Sequence, residues 1–100
     1  MEVQLDLKEN GRGSFLIKEE GKQIGEMAIS IASGNLTVYH TEVNDEYQGK
    51  GVSTQLLTAM VDYARSHKLK VVPLCAYVNT QFKRHPAQYE DVWSQTWHNK

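Results

Sequence analysis

The hexapeptide Gln48-Gly49-Lys50-Gly51-Val52-Ser53 holds the strongest chemical signal in the chain. Glycines just before a segment of helical apolar spacing let a chain aim main-chain N–H groups and a helix dipole at an anion. Register excludes two phosphate loops of this kind. A P-loop needs glycine at Asn44 and a hydroxyl at Gly51; a dinucleotide fingerprint needs glycine at Thr54 and an acidic residue about 20 positions on, where the chain is apolar. Cys75 is the lone cysteine, a nucleophile as an accessible thiolate and an inert core residue when buried. His40 reads either as a hydrogen-bonded structural residue or as a general base, and Tyr77 either packs or protonates a leaving thiolate. Lys83, Arg84 and His85 are either a solvated face or a set of phosphate contacts. His40, His67, His85 and His98 are too scattered, with no cysteine pair, to hold a metal.

These residues must be positioned by local structure. Val3, Leu5 and Leu7 alternate with polar residues as in a half-buried strand, and Asn10 to Gly13 reads as a turn. Strands follow at residues 15–18 and 23–32, with Gly21 reversing the hairpin. Ile24, Met27, Ile29 and Ile31 break parity, which points to a bulge at Gly25. After a turn at residues 33–35, Leu36, Val38 and His40 share one face of a fourth strand. Val52, Leu56, Met60, Tyr63 and Ala64 recur at helical spacing, with a stop at Arg65 to Lys68. The apolar run from residue 71 to 78 predicts a parallel strand that carries Cys75 and Tyr77 on one face, and Pro73 marks where it leaves its neighbour. Helical turns at residues 79–84 stop near Pro86, and a second short helix is expected over residues 87–97, with Trp93 and Trp97 as packing anchors. The order β-β-β-β-α-β-α is an α+β class: a mostly antiparallel sheet with one crossover helix.

The loop also fits a third pattern, Gln/Arg-x-x-Gly-x-Gly/Ala, except for Ser53 in the last small position. Here the sequence resembles the GNAT superfamily of acetyl-CoA-dependent N-acetyltransferases. The blocks His40-Thr41-Glu42-Val43, Leu56-Leu57, Val71 to Cys75, and Lys83-Arg84-His85-Pro86 with Tyr89 and Asp91 look like its small single-domain subfamily, so that the resemblance spans Leu36 to Val92. It implies a minimal GNAT fold in which strands 4 and 5 splay to admit the pantetheine arm. Main-chain amides from Gln48 to Ser53 would hold the pyrophosphate of acetyl-CoA, with Lys50, Lys83, Arg84 and His85 near the adenosine phosphates. An N–H near Glu42 or Val43 would polarise the thioester carbonyl. In the small subfamily the cysteine matching Cys75 is a proposed acetyl acceptor, which implies transfer to an unidentified amine through an acetyl-cysteine; His40 would serve as base and Tyr77 as acid. Full-size relatives insert helices between the first two strands, whereas here about seven residues separate Leu7 from Phe15. The acceptor is then a protein or a bulky amine on an open groove, or the missing wall comes from another subunit.

Composition sets the outer limits. One hundred residues, 40% hydrophobic and 23% charged, suit a single domain over residues 1–100, with 93–100 as a loosely packed tail. Eleven Lys and Arg against twelve Asp and Glu give a net charge of -1, which offers no field for nucleic acid. No apolar stretch approaches the roughly 20 residues of a membrane span, and Glu2 and Asp6 interrupt any signal peptide, so a cytoplasmic location is expected. Two other functions share these features: a coenzyme-binding module without turnover, and an interaction protein that uses its sheet edge or its tryptophan-bearing tail.

Overall fold

A computed structural model describes residues 2–94. Five strands, β1 (Val3–Leu7), β2 (Arg12–Glu19), β3 (Lys22–Ala32), β4 (Asn35–Val43) and β5 (Lys70–Pro73), form one sheet in the order β1-β2-β3-β4-β5. The first four pair antiparallel and β5 runs parallel to β4. The parallel step needs a crossover, supplied by helix α1 (Val52–Ser66). Helices α2 (Ala76–Arg84) and α3 (Pro86–Tyr89) follow β5.

The helical spacing read in the sequence is the buried face of α1. Val52, Leu56, Leu57, Met60, Val61 and Ala64 join Phe15, Ile17, Met27, Ile29, Leu36 and Val38 in one apolar cluster. Burial of each large side chain there stabilises the fold by about 1.5 to 3 kcal/mol. The β2–β3 reversal falls at Glu20 and Gly21, both with positive φ, as a two-residue hairpin turn demands.

Two bulges decide which side chains face the site. In the first, Ile17 pairs with Gly25 and Lys18 with Gln23, so Ile24 is the extra residue. Ile24 and Gly25 are consecutive buried residues, as the parity break predicts. A Cβ on Gly25 would lie 2.6 Å from Val52 Cγ1, so the glycine lets the start of α1 approach the sheet. In the second, Ala28 pairs with His40 but Ile29 with Val38, which leaves Tyr39 as the extra residue. The bulge rotates the rest of β4. Thr41 pairs with core-facing Met27, while His40 and Glu42 pair with Ala28 and Glu26 on the opposite, open face.

Several expectations are corrected. His40 does not share a face with Leu36 and Val38; they are buried and it is exposed. The apolar run does not continue as a strand to residue 78. β5 ends at Pro73, which cannot donate to a ladder, and the chain turns through Leu74 into α2. Cys75 is therefore the N-cap of α2, and Tyr77 lies in the first turn of that helix rather than on a shared strand face. Arg12 and Gly13 already belong to β2 rather than to the turn. The helix expected over residues 87–97 is the short α3, after which Trp93 bridges Val71 in parallel. Val71 N–H donates to Val92 O at 2.6 Å and Ser94 N–H to Val71 O at 3.0 Å, so the chain at residues 93–94 is packed against β5 rather than loose. Trp97, His98 and the rest of the expected tail lie outside the described residues.

Candidate functional site

The site forms where β4 and β5 part. Their ladder runs only from Asn35–Lys70 to Val38–Pro73. Cys75 N–H still donates to Val38 O at 2.9 Å. Beyond that bond β4 continues to Val43 with no β5 partner, so five residues present one main-chain edge without a ladder. The splay expected from Pro73 is thus present, with Cys75 at its vertex.

Past Val43 a single 3-10 turn, Asp45–Tyr47, leads into the glycine loop. It is braced by the β2–β3 hairpin. Lys22 Nζ donates to Glu46 Oε1 at 2.8 Å, and that hydrogen bond holds the Glu46 carboxyl below its ordinary pKa. A hydrogen bond to Glu19 pushes the Tyr47 phenol up. Lys50 Nζ lies 5.8 Å from the centroid of the Tyr47 ring, within cation–π range. Gln48 Nε2 donates to Val43 O at 2.8 Å, which closes the loop onto the end of β4.

Gly49 and Gly51 have φ of 77° and 82°, with nothing within 4 Å of a Cβ on either. Their role is conformational freedom, not clearance. Gly51 is the N-cap of α1, no side chain caps the helix, and its first turn holds no acidic residue. The first intrahelical donor bond back to Gly51 is that of Gln55 N–H. The N–H groups of Val52, Ser53 and Thr54 therefore have no helical acceptor and carry the positive end of the dipole. Free donors at the positive end of a helix are suited to receiving an anion.

A cavity of about 420 Å³ opens on these groups. One wall is Val43, Gln48, Gly49, Gly51, Val52 and Ser53 from the strand end and loop; Tyr47 and Thr54 complete that side, and Tyr77 and Gln81 face it from α2. Of the candidates named from sequence, the structure gathers here Val43, Tyr77 and the whole hexapeptide except Lys50, which sits over Tyr47. Glu42 is exposed on the open face. Its Oε1 lies 3.8 Å from His40 Nε2, so that dyad faces away from Cys75. Lys83 and Arg84 are exposed in the last turn of α2 and His85 is its exposed C-cap; none lines the cavity. Cys75 is 4% exposed, and its Sγ is 3.4 Å from Thr41 Oγ1 across the splay.

Sequence reasoning missed Tyr47, Thr54, Gln81 and Thr41. Tyr77 and Gln81, four apart, carry a signal for a lining helix face once the strand is ended at Pro73. Thr41 carries none, because its inward orientation depends on the bulge at Tyr39.

A model of the family described as GCN5-related N-acetyl-transferase matches residues 14–92. A search of curated protein sequences finds no match. Among solved structures, the chain is similar to a GCN5-like protein from Staphylococcus aureus determined by NMR, with 28% identity and a TM-score of 0.67 over 91% of this chain and 87% of that one. It is also similar to the ribosomal-protein-S18-alanine N-acetyltransferase from Escherichia coli, with 16% identity and a TM-score of 0.61 over 66% of this chain but only 43% of that one. For the ribosomal-protein-alanine N-acetyltransferase from Brucella melitensis biovar Abortus 2308 the values are 16% and 0.61, over 87% of this chain and 68% of that one. At 16% identity these two likenesses concern the fold alone.

Proposed function

Because the chain belongs to the GCN5-related N-acetyltransferase family, we propose that its glycine loop and the open β4 edge bind acetyl-CoA and that the protein moves the acetyl group to an amine. The observation that carries this reading is the continuity of the two features. Uncapped N–H groups of Val52, Ser53 and Thr54 lie beside a cavity lined at one side by Val43, the last residue of the β4 edge that β5 leaves unpaired. The pyrophosphate is held by main-chain donors at Gly49 to Thr54, with Lys50 adding charge from above Tyr47. Gln81 offers a carboxamide from α2 to the same space. The pantetheine amides pair with the edge of β4 between Tyr39 and Val43, and an N–H near Glu42 or Val43 polarises the thioester carbonyl. Lys83, Arg84 and His85, at the far end of α2, meet the adenosine end.

Cys75 relays the acetyl group. It stands at the N-cap of α2 where β4 and β5 part, and Thr41 Oγ1 is within reach to exchange a hydrogen bond with it. The Cys75 sulfur attacks the thioester carbon and the carbon–sulfur bond to coenzyme A breaks; Tyr77 gives its proton to the departing coenzyme A sulfur and takes the one that Cys75 loses. An acceptor amine then attacks the acetyl-cysteine, the bond from the acetyl carbon to Sγ breaks as the amide forms, and the proton that the amine loses returns to the cysteine sulfur. His40, paired with Glu42 on the open face, points away from Cys75, so it does not serve as base for attack on the acetyl-cysteine, and its part is to meet an acceptor that lies along that face. The 100 residues act as one domain on a protein or bulky amine acceptor, because the face that carries His40 is unwalled.

The test is intact-mass spectrometry after incubation with acetyl-CoA, alongside release of free thiol. The relay predicts one added acetyl group on the wild type and none on Cys75→Ala, with coenzyme A binding kept. Thiol release without an adduct in a fully active Cys75→Ala variant would point to direct transfer; binding with neither release nor adduct would leave a silent coenzyme binder.

A further inference from the structure

Strand β1 closes the sheet at the edge opposite the site, and its free side has a defined phase. Lys8 N–H donates to Arg12 O at 2.8 Å. By the alternation of an antiparallel ladder, Gln4 and Asp6 then exchange hydrogen bonds with Leu16 and Ser14, their register partners. Val3, Leu5 and Leu7 are the non-bonded pairs, so their N–H and C=O groups point outward. Among the described residues β1 has no second neighbour. An edge of this kind is a template for another strand.

We propose that the protein self-associates through this edge, with two β1 strands antiparallel about a twofold axis at Leu5. The sequence is self-complementary in that register. Leu5 faces Leu5 of the second copy, and Val3 faces Leu7 on each side, so all three outward-facing residues exchange main-chain bonds. On the other face Gln4 meets Asp6 and Glu2 meets Lys8, which sets opposite charges directly across the seam. A shift of two residues in either direction loses both charge pairs. Leu7, 41% exposed, is one of three large exposed apolar side chains among the described residues. It stands opposite Gly13, which gives it nothing to pack on. Pairing seats it beside Val3 of the second copy, at the rim of a groove of about 300 Å³ whose floor is Val3, Leu5, Phe15, Ala59 and Tyr63, with Asp62, Ser66 and His67 along its α1 side. Five residues per strand bury little area, so the dimer is weak and depends on concentration. The interface is three strands from the glycine loop, so coenzyme binding is a separate property.

Sedimentation equilibrium of the full chain from micromolar to ~1 mM tests this directly. The expected result is a mass that rises from monomer to dimer. Lys8→Glu sets two carboxylates against each other and weakens association by roughly threefold to tenfold, and the double variant Glu2→Lys/Lys8→Glu restores it. Leu7→Pro removes an outward N–H that β2 does not use and weakens association by roughly tenfold or more while the monomer stays folded. A monomer at every concentration, or a dimer or a heterologous complex that none of these variants alters, overturns the proposal.

Discussion

Thr41 Oγ1 lies 3.4 Å from Cys75 Sγ although the two are 34 positions apart in sequence. The pair exists because the bulge at Tyr39 turns Thr41 inward and because β5 stops at Pro73, which leaves Cys75 to cap α2. If the threonine orients the thiol for transfer, Thr41→Val lowers the rate of acetyl-cysteine formation by about tenfold, the worth of one hydrogen bond of about 1.4 kcal/mol. Thr41→Ser restores it, and coenzyme A affinity is unchanged in both. Quenched-flow mass measurement reads the rate; a wild-type rate in the valine variant contradicts the role.

Gly51→Ala forces an L residue to φ 82° at the helix N-cap. Strain of about 1 to 2 kcal/mol follows, and there is no clash, since a Cβ meets nothing within 4 Å. Expected are a lower melting temperature and weaker coenzyme A binding by calorimetry. Loss of stability with unchanged affinity separates the turn from the anion receptor.

Gly25→Ala acts through space instead. The new Cβ would stand 2.6 Å from Val52 Cγ1, so the first turn of α1 must shift, at about 1 to 3 kcal/mol. The double variant Gly25→Ala/Val52→Ala should recover most of that loss. No recovery in thermal melts contradicts close packing at this point.

Arg65 joins α1 to α3 and to the chain just after it, with its Nε donating to Asp91 Oδ2 at 2.7 Å and its terminal nitrogen to Gln88 O at 2.7 Å. The hydrogen bond from Arg65 holds the Asp91 carboxyl below its ordinary pKa. A folded value below the unfolded one means stability that is present above the unfolded pKa and lost as pH falls through the folded one. The side chains are 39% and 57% exposed, so solvent screening limits the pair to at most about 1 kcal/mol. Asp91→Asn should melt below the wild type at pH 7, and the gap should close in acid. A gap independent of pH contradicts the ion pair.

Much of the architecture is legible in local pattern. The Gly21 reversal, the parity break beside Gly25 and the start of the α1 stripe at Val52 all follow from short-range rules, and each is found where those rules put it. The misread parts depend on tertiary context. An apolar run from residue 71 to 78 suits a buried strand or a strand followed by a helix, and only Pro73 hints that β5 ends there. That one boundary carries Cys75 and Tyr77 with it, from a strand face to the start of α2. Likewise Leu36, Val38 and His40 alternate smoothly, and the extra residue at Tyr39 arises from pairing with β3. His40 consequently sits on the open face, and Thr41 takes the inward place.

Acetyl-CoA titration followed by amide resonances is the most direct measurement of the central claim, that main-chain donors at the start of α1 receive the coenzyme's phosphates. The account predicts saturable shifts centred on Gly49, Gly51, Val52 and Ser53 and extending along β4 to Thr41, with weaker binding in Gly51→Ala. Unmoved loop resonances at saturating ligand, or shifts confined to another face of the sheet, would contradict it.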